Sequence, residues 1–243
     1  MDIKRLKEFQ QEMLRIKKEL SADEFFATLN TKLLDFASKN PDAPLSEIEQ
    51  AVREIFPPQV TSYEKELFIK FKDTLNVVND LYSDLSGNID KDLLQLQRVE
   101  KVSKTYLGAF EQKESAKIVK TIQQGLADKL SREELAKNIA AAGDRASAYA
   151  DVIAQTQIKG YANEAKHQKA QLGEVYYYRY AGIIRANSRL FCINEMEYAQ
   201  KKSRHINEIN ALDNGPKQPK PVIIYRGGWG CYHDWEPDPF YEE

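Results

Sequence analysis

Apolar residues return every three or four positions through most of the first two thirds of the chain, the spacing that places them on one face of an α-helix. Ile3, Leu6, Phe9, Met13, Ile16 and Leu20 form the first such stripe. "SADE", Ser21 to Glu24, has the form of a capping box, in which a serine oxygen and a glutamate satisfy free amides at a helix start. It predicts a second helix carrying Phe25, Phe26, Leu29, Leu33, Leu34 and Phe36, broken by "NPDAP" from Asn40 to Pro44. A short helix from Ser46 to Phe56 should stop at Pro57 and Pro58.

Leu67, Phe71, Leu75, Val78 and Leu81 predict the next helix, from Ser62 to about Leu85. "SGN", Ser86 to Asn88, is a turn signal, and a long helix follows from Ile89 through Phe110. Ser131 and Glu134 make a second capping box, and after "AAGDR" a helix-forming stretch runs from Ala146 to Leu172. The sparse stripe of the first helix suits either its own core or a partner chain.

At Gly173 the pattern changes. "GEVYYYRYAGI", Gly173 to Ile183, is aromatic and β-branched and predicts a strand, as does "PVIIYRGG", Pro221 to Gly228. Between them lie a polar connection with Cys192, a helix-like "INEMEYAQKKSRHINEINAL" and the turn-prone "DNGPKQPKP". The tail "EPDPFYEE" should be extended. The fold class is α+β: a mostly helical N-terminal region of long amphipathic helices, then a small C-terminal α+β domain with a short β-sheet.

Composition narrows the function classes. A net charge of −2, with 30% of residues charged and both signs mixed, argues against a dedicated polyanion binder. No run approaches the ~18 apolar residues of a membrane span, and the charged first twenty residues lack a signal-peptide core. Two cysteines make no disulfide framework, which points to folding in a reducing cytoplasm.

Unusual chemistry gathers in "YRGGWGCYHDW", Tyr225 to Trp235. Cys231 and His233, at i and i+2, would share one face of a strand, as a thiol nucleophile and its base do, but no orienting third group stands at a recognised spacing. Cys192, Cys231, His233 and His205 are all residue types that zinc accepts, yet only Cys231 and His233 form a close pair. A Cys192–Cys231 disulfide is a further option. His167 reads as a solvated helix residue. Arg179, Arg185 and Arg189 among tyrosines suit non-specific contact with nucleic acid. Gly227, Gly228 and Gly230 with Trp229 and Trp235 suit a plug that closes a small fold. The plug is the reading these residues favour, with no catalytic residue, no metal and no cofactor.

Order and spacing add a resemblance. "YAGIIRANSRLFC", then "INALDNG", then "PVIIYRGGWGCYHDWEP" resembles the C-terminal domain of phage head morphogenesis proteins, the Mu F-like minor capsid family. Gly182, Arg189, Cys192, Gly227, Gly228, Cys231, His233 and Trp235 carry the match, with Phe191, and with Ser188 where threonine is usual. Gln155, Thr156 and Gln157 fall where the family's preceding helix carries its polar core. Arg185 stands where the pattern has Asp, Leu190 where proline is frequent, and Tyr232 where Arg separates Cys from His. The resemblance covers residues 115–243 and leaves 1–114 as a helical region for portal or capsid contact. It implies a structural protein of the phage head. Portal protein or major capsid protein would be its partner, packaged DNA a possible non-specific contact, and the virion its location after synthesis in the host cytoplasm. A cysteine- or zinc-dependent hydrolase using Cys231 and His233 is the alternative.

Overall fold

The computed structural model describes residues 3–91 and 93–241, without the side chains of Ile3, Glu24, Phe25 and Ala27. The assignments of Ile3 and Phe25 to apolar stripes, and the Glu24 half of the first capping box, lie outside the described residues. Among these, five long helices come first: α1 (Ile3–Glu19), α2 (Ala22–Lys39), α3 (Leu45–Leu81), α4 (Leu94–Ala127) and α5 (Arg132–Leu172). A smaller mixed section follows: β1 (Tyr177–Ala181), α6 (Leu190–Ala199), β2 (Arg204–His205), α7 (Ile206–Ala211), α8 (Val222–Tyr225) and β3 (Asp234–Pro237). The protein is mostly helical α+β. No helix among the described residues is long and apolar enough to cross a membrane.

The chain divides into two units that are not contiguous in sequence. One comprises Met1–Glu19, Ile69–Lys101 and Ala154–Glu243; the other comprises Leu20–Phe68 and Val102–Ile153.

The second unit is held by an aromatic cluster. Phe26 stacks on Phe56 at 5.6 Å, and Phe110 meets both, at 6.2 and 5.9 Å. Pro57 and Pro58 do not end the helix, contrary to the sequence expectation, because α3 runs through them. Val52, Phe56, Val60 and Tyr63 stay on one buried face across the prolines, and the residues whose carbonyls lose their partners, Arg53 and Glu54, are exposed to water. Apolar burial outweighs two missing hydrogen bonds. Through "AAGDR" α5 is continuous, and Gly143 lets Asn30 of α2 approach so closely that a Cβ would stand 2.3 Å from its Oδ1. The Ser131–Glu134 capping box forms as expected, with Glu134 accepting from the Ser131 amide at 3.0 Å. At Ser21 no side-chain cap forms, and the first α2 amide, of Ala22, donates to Asp151 instead.

The first unit contains the sheet. Phe9, Met13 and Ile16 of α1 are fully buried in this chain, with Phe9 edge-on to Tyr82 at 5.9 Å, so the stripe serves the protein's own core and not a partner. From Ala154 to Ala170 almost every residue of α5 is buried, and Tyr161 stacks on Phe71 at 4.5 Å. The "SGN" turn is tied down by Lys169, whose ammonium donates to the carbonyls of Ser86 and Gly87.

β1 is the central strand, antiparallel to β2 on one edge and to β3 on the other. Tyr178 and Tyr180 point into the core, following the two-residue period. The predicted strand at Pro221 to Gly228 is instead the single helical turn α8, buried on every side. Both edges of β1 are already filled, so Val222–Tyr225 satisfies its amides locally, through Tyr225 to Pro221 and Arg226 to Val222. The third strand comes from Asp234–Pro237, partly within the tail read as extended. The helix-like stretch after Cys192 is likewise interrupted, as α6, the two-residue β2 and α7.

Candidate functional site

Cys192 enters from the first turn of α6, while Cys231 and His233 come from the loop that leads into β3. Their donor atoms all lie within 4.8 Å of one another, and all three residues are buried. The two sulfurs are 3.8 Å apart, and Cys231 Sγ is 3.7 Å from His233 Nδ1. Tyr180 of β1 donates its hydroxyl to Cys192 Sγ at 3.4 Å and sits 3.5 Å from Cys231 Sγ. Its ring stacks on the His233 imidazole at 5.3 Å and packs against Trp235 at 4.6 Å.

Two glycines make the room. A Cβ on Gly227 would stand 2.4 Å from Cys192 Sγ and 3.2 Å from Cys231 Sγ. One on Gly182, at φ +150°, would stand 2.8 Å from the His233 ring. Gly228 donates its amide to the Tyr225 carbonyl, and Arg189 donates to the Trp229 carbonyl at 2.5 Å. The residues singled out in the sequence thus meet in one place. So does the preceding helix: Thr156 accepts from the Gly230 amide at 3.0 Å, and Gln157 accepts from the Tyr225 hydroxyl at 3.4 Å.

The two buried thiols act on each other's ionisation. The hydrogen bond with Cys192 is the largest influence on Cys231 and holds it well below the ordinary thiol range; desolvation opposes this, and His233 and the Arg226 charge assist. Cys192 is pushed up, first by its hydrogen bond with Cys231 and then by burial.

Behind the cluster lies a layer of buried charge that sequence reasoning missed. Lys166 of α5 pairs with Glu236 of β3 at 2.6 Å, Tyr82 donates to the same carboxylate at 2.6 Å, and the Lys166 ammonium lies 4.1 Å above the Phe9 ring. Arg226 and Asp234, both fully buried, form an ion pair at 3.7 Å. Desolvation alone would raise Asp234, but Lys166, Lys159 and Arg226 outweigh it and hold the carboxyl low. Asn214, from the "DNG" turn, donates to the Arg226 carbonyl at 2.8 Å and braces the loop.

Several expectations change. His205 is not with the cysteines: it ends β2 and accepts from the Asn207 amide at the start of α7. His167 is not solvated. It is buried against Tyr178, with Nδ1 2.7 Å from the hydroxyl, and burial lowers it to about 4. Trp235 is a buried anchor as expected, whereas Trp229 is half-buried, with its ring nitrogen donating to Lys217. Arg179 is engaged with Asp238 at 3.2 Å, and Arg185 lies on the ring of Tyr232. No protein-family model, curated protein or solved structure matches this chain.

Proposed function

We propose that the protein is a structural component of a tailed-phage head, a minor head protein that binds the portal or the major capsid protein and assists assembly, packaging or DNA release. One observation carries the reading. Residues that resemble the head-morphogenesis pattern, scattered from Thr156 to Trp235, converge on a single buried assembly around Tyr180, Cys192, Cys231 and His233. A chance likeness of spacing gives no reason for such convergence.

With the α1 stripe buried, the contact surface must lie elsewhere. Ile183 and Ile184 stand exposed on the loop between β1 and α6, and Leu190, 72% exposed, opens α6. A groove of about 440 Å³ beside Ile183 has Lys7, Lys17 and Arg185 in its lining, cations that suit a phosphate backbone. The test is co-expression with portal and capsid proteins of the same genome, followed by composition analysis of purified heads. The chain should be recovered with heads, and the Ile183→Glu/Leu190→Glu variant should fold yet fail to incorporate. Recovery only as free protein, with heads lacking it, would overturn the reading.

The closeness of Cys231 Sγ to His233 Nδ1, 3.7 Å, favours a second reading, a thiol hydrolase. Against it, Cys231 is 3% exposed, and His233 Nε2 has no hydrogen-bond partner among the described residues to orient the ring. Rapid alkylation of Cys231 in the native protein would support this alternative; a thiol protected until unfolding removes it.

A further inference from the structure

We infer that Cys192, Cys231 and His233 form a binding site for one zinc ion, a lock that joins α6 to the loop entering β3. The inference stands apart from the head-assembly reading and is tested without it.

Geometry carries it. Tetrahedral zinc holds sulfur at about 2.3 Å and imidazole nitrogen at about 2.0–2.1 Å. Those bonds set two sulfurs about 3.8 Å apart and a sulfur and a nitrogen about 3.6 Å apart. The structure has 3.8 Å between the sulfurs and 3.7 Å from Cys231 Sγ to His233 Nδ1, with all three donor atoms inside 4.8 Å. Each separation alone suits a weak thiol contact. Together they match two edges of one face of a zinc tetrahedron, with the third, from Cys192 to His233, inside 4.8 Å, and they converge from segments 39 residues apart.

Two independent features agree. Neither nitrogen of the buried His233 ring has an ordinary hydrogen bond: Nδ1 has only the long contact to sulfur, and Nε2 has no partner among the described residues. A metal bond at one nitrogen relieves part of that cost. Gly227 and Gly182 also clear the space in which the sulfurs and the imidazole stand together. A cavity of about 270 Å³ borders all three ligands and gives access to a fourth, water in the simplest case. Tyr180, donating to Cys192 and touching Cys231, stands in the second layer that orients such ligands.

Sequence spacing argued against zinc because structural sites usually come as two close pairs. The fold removes that objection for Cys192 and supports it for His205, which lies outside the cluster.

The full chain, expressed with added zinc and purified without chelator, should carry about one zinc per molecule by elemental analysis. Cys192→Ser, Cys231→Ser and His233→Ala should fall to background, whereas His205→Ala should keep its zinc. Tyr180→Phe should bind about ten-fold or more weakly. Should the cysteine variants fail to fold, the unaltered chain decides: stripped and titrated with cobalt(II), it should show thiolate charge-transfer absorption and tetrahedral visible bands. A chain that takes up neither zinc nor cobalt, or that holds Cys192 and Cys231 as a disulfide as isolated from reducing cytoplasm, overturns the inference.

Discussion

The guanidinium of Arg185 lies 4.3 Å from the centroid of the Tyr232 ring. The contact joins the loop between β1 and α6 to the loop that carries Cys231 and His233. A double-mutant cycle with Arg185→Ala and Tyr232→Ala, followed by denaturant unfolding, should give a coupling of about 0.5–1 kcal/mol, the range for an exposed pair. Additive effects would mean that the contact contributes nothing.

Lys166 and Glu236 should behave as a buried pair. Lys166→Met leaves a carboxylate without its cation and should cost about 3–5 kcal/mol in urea unfolding. Adding Glu236→Gln should restore much of that loss, because the neutral amide can still accept from Tyr82. No recovery in the double variant would show that the lysine stem matters through packing on Phe9 instead.

Burial of His167 links stability to pH. Its folded-state value, about 4, is below the ordinary histidine value, so the unfolded chain binds the proton first as pH falls. The stability from keeping this ring neutral is complete above about pH 6.5 and is lost as pH falls toward 4, on the order of 3 kcal/mol in all. Unfolding free energies between pH 7 and 4.5 should therefore slope downward, and His167→Gln should flatten the upper part of that slope.

Pro57 and Pro58 offer a gain. Pro57→Ala returns a donor for the Arg53 carbonyl, and Pro58→Ala returns one for Glu54. Each should raise stability by about 1–3 kcal/mol, less the entropy that proline removes from the unfolded chain. Thermal unfolding checks this, and a lower Tm would show that the prolines are needed for the Phe56 contacts.

How much was legible follows from what each residue's environment depends on. Helices with one dry face announce themselves, as α1 and α2 did, and Tyr178 and Tyr180 alternate as a half-buried strand should. Val222–Tyr225 is buried all round, so its residues carry no period, and β-branching suggested a strand. His167 looked solvated, and the burial of Lys166 and Arg226 went unread, because the groups that permit it are distant: Glu236 is 70 residues from Lys166. No local window contains that information. The cysteine–histidine cluster was half legible, as the Cys231–His233 pair; Cys192 joins it only through the path from β1 into α6.

The same unit has a consequence for biosynthesis. β3 supplies the carboxylates for Lys166 and Arg226 and fills the second edge of β1, so the strand, the buried cations and the cysteines all wait for residues 234–237 to leave the ribosome. Helices made much earlier, α1 among them, must be kept from misassociation until that last strand arrives. A stall or truncation before Trp235 would yield not a shortened protein but an unfinished one, rich in uncovered cations and a natural client for chaperones and proteases.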